Sequence, residues 1–204
     1  MVSVMGELLP DIWMWSWLSP PHGYNFNGHL LRLPGGNVCI DPVEPTPEAL
    51  DKIVRHGVSR IVLTNRNHVR DANRIRERTQ ARTAIHTDDT AYAREQGAVI
   101  DDQLATGAAV GPLRVIGVPG KSPGEIALHW PERRILIVGD AVIGNPPGHL
   151  CLLREKVMDD PPRLRASVRQ LLELDFDTLL VGDGTPILHD AKARLETLVA
   201  TFPE

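Results

Sequence analysis

The chain is poor in cysteine, poor in aromatics and free of long apolar runs. Its 204 residues contain two cysteines, Cys39 and Cys151, and only 4% aromatic residues. Neither cysteine has a C-x-x-C neighbour, and both lie among apolar residues. That argues against a disulfide framework or a thiolate zinc site and for free thiols in a reducing compartment. No apolar run is long enough to cross a bilayer. The first residues, MVSVMGELLPD, lack the basic start and apolar centre of a secretory signal, so the cytoplasm is the expected location. There is no basic surplus either. The formal net charge is -4, which gives no footing for nucleic acid or an anionic membrane.

What is present fits a soluble globular chain: 42% hydrophobic and 24% charged residues. No repeat, linker or low-complexity stretch divides it, so a single domain over 1–204 is expected. Hairpins come first. A strand from Ile12 to Trp17 carries Trp13, Trp15 and Trp17 at alternate positions, hence on one face. Asn27–Leu33 and Val38–Ile40 follow as a hairpin ending at Asp41-Pro42. Thr46 caps a helix that starts at Pro47 and ends at Gly57. A buried strand at Ile61–Leu63 stops at a polar turn, and a charged helix is expected from about Val69 to Thr79. Later come a strand at Thr83–Thr87 and a helix ending near Gly97. Leu113–Val118 is a strand, and Ile126–Trp130 with Ile135–Val138 make a second hairpin. A helix runs from Pro161 or Pro162 to Leu174, then a strand at Thr178–Val181 and a helix over His189–Thr201. Hairpins followed by alternating strands and helices suit two sheets covered by helices.

The polar turn is the most informative stretch: Thr64, Asn65, Arg66, Asn67, His68, Val69, Arg70, Asp71. Strand ends that open into helices are where α/β proteins place chemistry. The stretch resembles the metal-binding turn of the metallo-β-lactamase fold, Thr-His-x-His-x-Asp-His. Three further regions are similar to that family in the same order. Asn27 to Pro42 resembles its opening hairpin. Val118 to Leu128, reading VPGKSPGEIAL, resembles "TPGHTPGSIAL". Leu136–Asp140 together with Leu180–Pro186 resembles "LFSGD" and "VLPGHGP". The resemblance implies an α+β or α/β chain folded as a four-layer αββα sandwich of the metallo-β-lactamase type.

In that family two zinc or iron ions are held by imidazole and carboxylate. Carried over residue by residue, the turn's ligand positions fall on Asn65, Asn67, Val69 and Arg70. The "PGH" histidine falls on Lys121 and the last histidine on Asp183. Asp140 alone keeps its identity. Sliding the motif onto His68 in any register recovers no usable set. Val cannot ligate, and protonated Lys and Arg carry no lone pair. The resemblance therefore implies a replaced site: Asp140 and Asp183 would otherwise be costly unpaired carboxylates, and Lys121 and Arg70 would compensate them. No metal is expected; if one binds, Asp140, Asp183 and His68 are the ligands, and it is a single divalent zinc, iron or manganese.

Three functions compete. The leading one is binding of a small anionic or polar ligand, or a structural or regulatory role. The second is a one-metal hydrolase of an ester, a thioester or a similar substrate. The third is a metal-free enzyme with His68 as base and Arg70 and Lys121 holding an anion. The catalytic candidates are His68, Lys121, Asp140 and Asp183. The ligand-binding candidates are Asn65, Asn67, Arg70, His22 and His149, the last two in loops expected to rim the cavity. Each has a plainer reading beside it: the turn as a helix start, the Lys and Asp residues as a structural ion cluster, the loop histidines as inert. Whether any reaction is catalysed stays open at this level. His29 and His129, inside strands, read as solvent-side. The tryptophan stripe reads as core or as a homodimer surface, and less readily as a ligand patch.

Overall fold

Apolar alternation and well-formed caps account for most of the elements in a computed structural model that describes residues 4–203. The chain divides into two compact units, Met1–Leu104 and Ala105–Glu204. The first holds seven strands: β1 (Gly6–Leu9), β2 (Ile12–Ser19), β3 (Tyr24–Leu31), β4 (Val38–Ile40), β5 (Arg60–Leu63), β6 (Arg82–His86) and β7 (Asp102–Leu104). They form one sheet in sequence order. The pairs from β1 to β4 are antiparallel, and those from β4 to β7 are parallel.

Parallel pairing requires crossovers, and three helices supply them: α1 (Pro47–His56), α2 (Ala72–Thr79) and α3 (Thr90–Glu95). In α1 the Thr46 side chain accepts from the Ala49 N–H at 3.1 Å, and Gly57 closes the helix at φ 75°. Leu50 and Ile53 pack from α1 into a core that includes Trp15, Leu30, Cys39, Ile61, Leu63 and Ile75. Trp15 is fully buried and its indole N–H donates to the Val43 carbonyl at 2.8 Å. Trp13 and Trp17 pack partly exposed on the same core, so the alternate tryptophans do share a face.

The second unit holds β8 (Ala109–Val110), β9 (Leu113–Gly117), β10 (Ile126–Trp130), β11 (Ile135–Val138) and β12 (Thr178–Val181), in the order β12-β11-β10-β9-β8. Only β11 and β12 run parallel, joined through α4 (Pro161–Leu171); α5 (Ala191–Val199) closes the unit. Asp160 caps α4 by accepting from the Arg163 N–H at 3.0 Å. Leu164, Val168 and Leu171 pack with Phe176, Val181, Leu195 and the β10–β11 hairpin. Among the described residues, no helix is long and apolar enough to cross a membrane.

Two expectations are corrected. His29 and His129 are 1% and 5% exposed, so neither faces solvent. The alternation argument needs one open sheet face, and β3 from Asn27 onward and all of β10 are buried at every position. The helix expected from Val69 begins at Ala72, because Arg70 takes a left-handed φ of 31° that no helix can include.

Candidate functional site

In the first unit the parallel pairing of β4 with β5 sets two strand ends side by side. Asp41 follows the first and Thr64 the second. The Thr64 N–H donates to Asp41 Oδ1 at 2.8 Å and its hydroxyl to Asp41 Oδ2 at 2.6 Å. His68 Nδ1 lies 2.8 Å from the same Oδ2. On the far side of the ring, Arg70 Nη2 lies 3.0 Å from His68 Nε2. A guanidinium only donates, so Nε2 accepts and the ring proton sits on Nδ1, donated to Asp41. The result is a line of carboxylate, imidazole and guanidinium. Asp41, Thr64 and His68 are all at most 1% exposed.

Burial pushes the Asp41 carboxyl upward. The His68 ring, the Arg70 guanidinium and the Thr64 hydroxyl together outweigh it, so Asp41 titrates below the ordinary carboxylate range. His29 is held down at about 4 by burial, with Asp41 opposing and Arg70 assisting. It is neutral at pH 7, and its Nε2 has no hydrogen-bond partner among the described residues. Asp41 and Arg70 both adopt positive φ, 46° and 31°. Such strain in non-glycine residues costs on the order of 1 kcal/mol each, so the turn is held in this shape by its contacts.

The two asparagines divide the remaining work. Asn65 is buried and its Oδ1 accepts from the Asn67 N–H at 2.8 Å, making an Asx turn. Its Nδ2 has no hydrogen-bond partner among the described residues. Asn67 is exposed. Arg70 stacks over Phe26 at 4.6 Å, and His22 lies 5.3 Å from the same ring, with its Nδ1 2.6 Å from the Ser19 hydroxyl. The β2–β3 hairpin thus brings His22 and Arg70 to one aromatic ring. Arg70 also lines a cavity of about 320 Å³ with Trp17, Phe26, Val43, Glu44 and Asp71.

In the second unit the parallel register of β11 and β12 pairs Val138 with Val181. Asp140 and Asp183 each stand two residues beyond that pair. Both are buried, at 5% and 4% exposure. Lys121, 6% exposed, places Nζ 3.2 Å from Asp140 Oδ2, so the ammonium expected beside this carboxylate is there. Glu125 Oε1 accepts from the backbone N–H groups of Asp140 and Ala141 at 2.7 and 3.1 Å and fixes the turn. Gly120 precedes Lys121 at φ 140°, where a Cβ would run into the Leu164 backbone. Gly184 follows Asp183 at φ 87° against the Gly144 carbonyl. Glycine at both places is a steric requirement. His149 is exposed, 3.4 Å from the Pro147 carbonyl through Nδ1, and meets none of these groups within its unit through a bond of this kind.

Sequence reasoning missed Asp41, Thr64, His29 and Glu125. The signal for Asp41 was available: an acidic residue closing one buried strand beside a parallel neighbour that ends in Thr64. No comparable signal marks Glu125, whose role is to hold backbone N–H groups.

The sequence profile of the metallo-beta-lactamase superfamily matches residues 5–202, and the chain belongs to that superfamily. Solved structures agree. A metallo-beta-lactamase from Pontibacter korlensis aligns with TM-score 0.79 at 17% identity, over 99% of this chain and 100% of that one. The metallo-beta-lactamase FIM-1 from Pseudomonas aeruginosa, in its mono-zinc form, gives 0.77 at 15% identity, over 99% and 97%. A metallo-beta-lactamase family protein from Thermus thermophilus gives 0.69 at 22% identity, over 95% and 79%. No curated protein matches the sequence. The expected fold, mixed α/β of the metallo-β-lactamase type, is therefore the fold of this chain.

Proposed function

We propose that this protein uses the metallo-β-lactamase fold without a dinuclear metal centre, and that it acts in binding a small anionic or polar ligand or in a structural or regulatory role. The observation that carries the reading is the buried Lys121–Asp140 ion pair. The carboxylate that the family resemblance gives to the metal already has an ammonium on it. The Arg70 guanidinium on His68 Nε2 supports the same conclusion, since it occupies the lone pair a metal would need and would repel a dication. Asn65 puts an amide at the position that the resemblance gives to the first histidine, and its Oδ1 already accepts from the Asn67 N–H.

A second reading keeps one divalent ion, zinc, iron or manganese, on His68, Asp140 and Asp183, a histidine and two carboxylates of the right donor chemistry. A mono-zinc relative of this fold gives it a precedent. It requires Arg70 to leave His68 and Lys121 to leave Asp140. A metal-free enzyme with His68 as general base requires the first of these moves as well, because Nε2 already accepts a hydrogen bond and Nδ1 is turned to Asp41.

The proposed location is the cytoplasm, supported by Cys39 and Cys151 both being free thiols. The test is a panel of esters, thioesters, lactones and β-lactams assayed with and without chelator, beside thermal-shift screening of small anions. The binding reading expects no turnover on either arm and stabilisation by an anion. Chelator-sensitive turnover would establish the one-metal hydrolase in its place.

A further inference from the structure

The tryptophan stripe is only partly absorbed by the core. Trp13 borders a cavity of about 420 Å³ that shares no residue with the polar clusters above; its other walls include Met5, Glu7, Lys52, Arg55 and His56. Pockets of this size take small ligands. Lys52, Arg55 and His56 stand at i, i+3 and i+4 on α1, hence on one helix face. The Trp13 ring lies 4.4 Å from the His56 ring, tilted by 41°, and 5.2 Å from the Arg32 guanidinium.

The charge balance is one-sided. Glu7 is the one carboxylate among the lining residues, and its Oε1 accepts from the Asp11 N–H at 3.1 Å. Arg32 pairs with Asp11 at 3.3 Å. Lys52 Nζ donates to the Met5 carbonyl, an uncharged partner, at 3.2 Å. Arg55 is exposed and has no ion pair with a described residue. Basic residues in the last turn of a helix ordinarily answer its dipole, but that is worth only about half a charge. Lys52 and Arg55 alone exceed it. His56 reports the surplus: burial lowers its pKa first, then Arg32, Arg55 and Lys52 lower it further, with Glu7 opposing.

The geometry points to a ligand site in this cavity for a small aryl phosphate, its ring against Trp13 and its phosphate oxygens on Lys52, Arg55 and His56. A dianion matches two full cations better than a carboxylate does, and an arginine fork suits phosphate oxygens. The indole face gives a flat ring an advantage over a bare ion.

Phenyl phosphate, benzoate and inorganic phosphate are titrated into the full chain while the Trp13 and His56 ring resonances are followed by NMR. Saturable shifts are expected with phenyl phosphate, at an affinity about tenfold or more above the other two. Lys52→Ala/Arg55→Ala is expected to weaken phenyl phosphate by at least about tenfold. The exposed Arg55→Gln does so in part and serves if the double variant misfolds. Trp13→Leu is expected to remove the preference over inorganic phosphate. Absence of saturation, equal affinity for inorganic phosphate or benzoate, or unchanged binding in the arginine variant would each overturn the assignment.

Discussion

Replacing Lys121 by Met removes an ammonium 3.2 Å from Asp140 while leaving the methylene stem. Asp140 is 5% exposed, so its carboxylate cannot turn to bulk water without moving the turn that Glu125 fixes. Breaking a buried pair from one side costs about 3–5 kcal/mol, because the remaining charge stays desolvated. For a chain of this size each kcal/mol shifts Tm by about 2–4 °C, so a drop of roughly 6–20 °C is expected. Asp140→Asn alone takes the carboxylate away from the Lys121 ammonium and should also destabilise. Lys121→Met/Asp140→Asn removes both charges and should recover much of the loss, giving a coupling of about 2 kcal/mol or more. Urea titrations of the four proteins at pH 7, followed by circular dichroism, measure it. Additive single effects, or a Lys121→Met variant within about 1 kcal/mol of the parent, would refute the claim that this pair is held by mutual need.

Three further outcomes follow from the same clusters. His29 is held at about 4 in the fold against 6.5 when free. The unfolded chain therefore takes up a proton first as pH falls, and about 3 kcal/mol of stability present above pH 6.5 is lost by about pH 4; urea titrations across that window should show the loss, and His29→Gln should flatten it. The His68 ring should appear as the Nδ1–H tautomer in ¹⁵N NMR at pH 7, and Asp41→Asn should disturb that state and cost about 1–3 kcal/mol; an Nε2–H ring in the parent would contradict the network. Cys39 is fully buried, and burial with the Asp41 charge raises its thiol strongly, whereas Cys151 is only partly buried. A thiol reagent should modify Cys151 alone in the native protein and both residues in urea.

Most of the architecture was legible because apolar periodicity and caps carry it. The β10–β11 hairpin, β12 and the start of α1 follow from local pattern. The strands missed, β1, β7 and β8, are short and carry little apolar alternation, since GELL, DQL and AV owe their pairing to neighbours. The candidate site was legible where a side chain had changed its chemistry, as at Lys121, and illegible where one supports another. Asp41 reads locally as a turn residue. Its partnership with Thr64 and His68 exists only because β4 and β5 run parallel with their ends in register. His29 escaped for a related reason: a histidine inside a strand carries no mark of whether its face is covered.

The proposal puts the Lys121 ammonium on Asp140 in place of the family's metal. Elemental analysis of protein expressed and purified with zinc, iron and manganese supplied tests it most directly. Metal near zero per chain and a Tm unmoved by chelator or added zinc are expected. A stoichiometric ion, with stability lost on chelation and restored by metal, would contradict it.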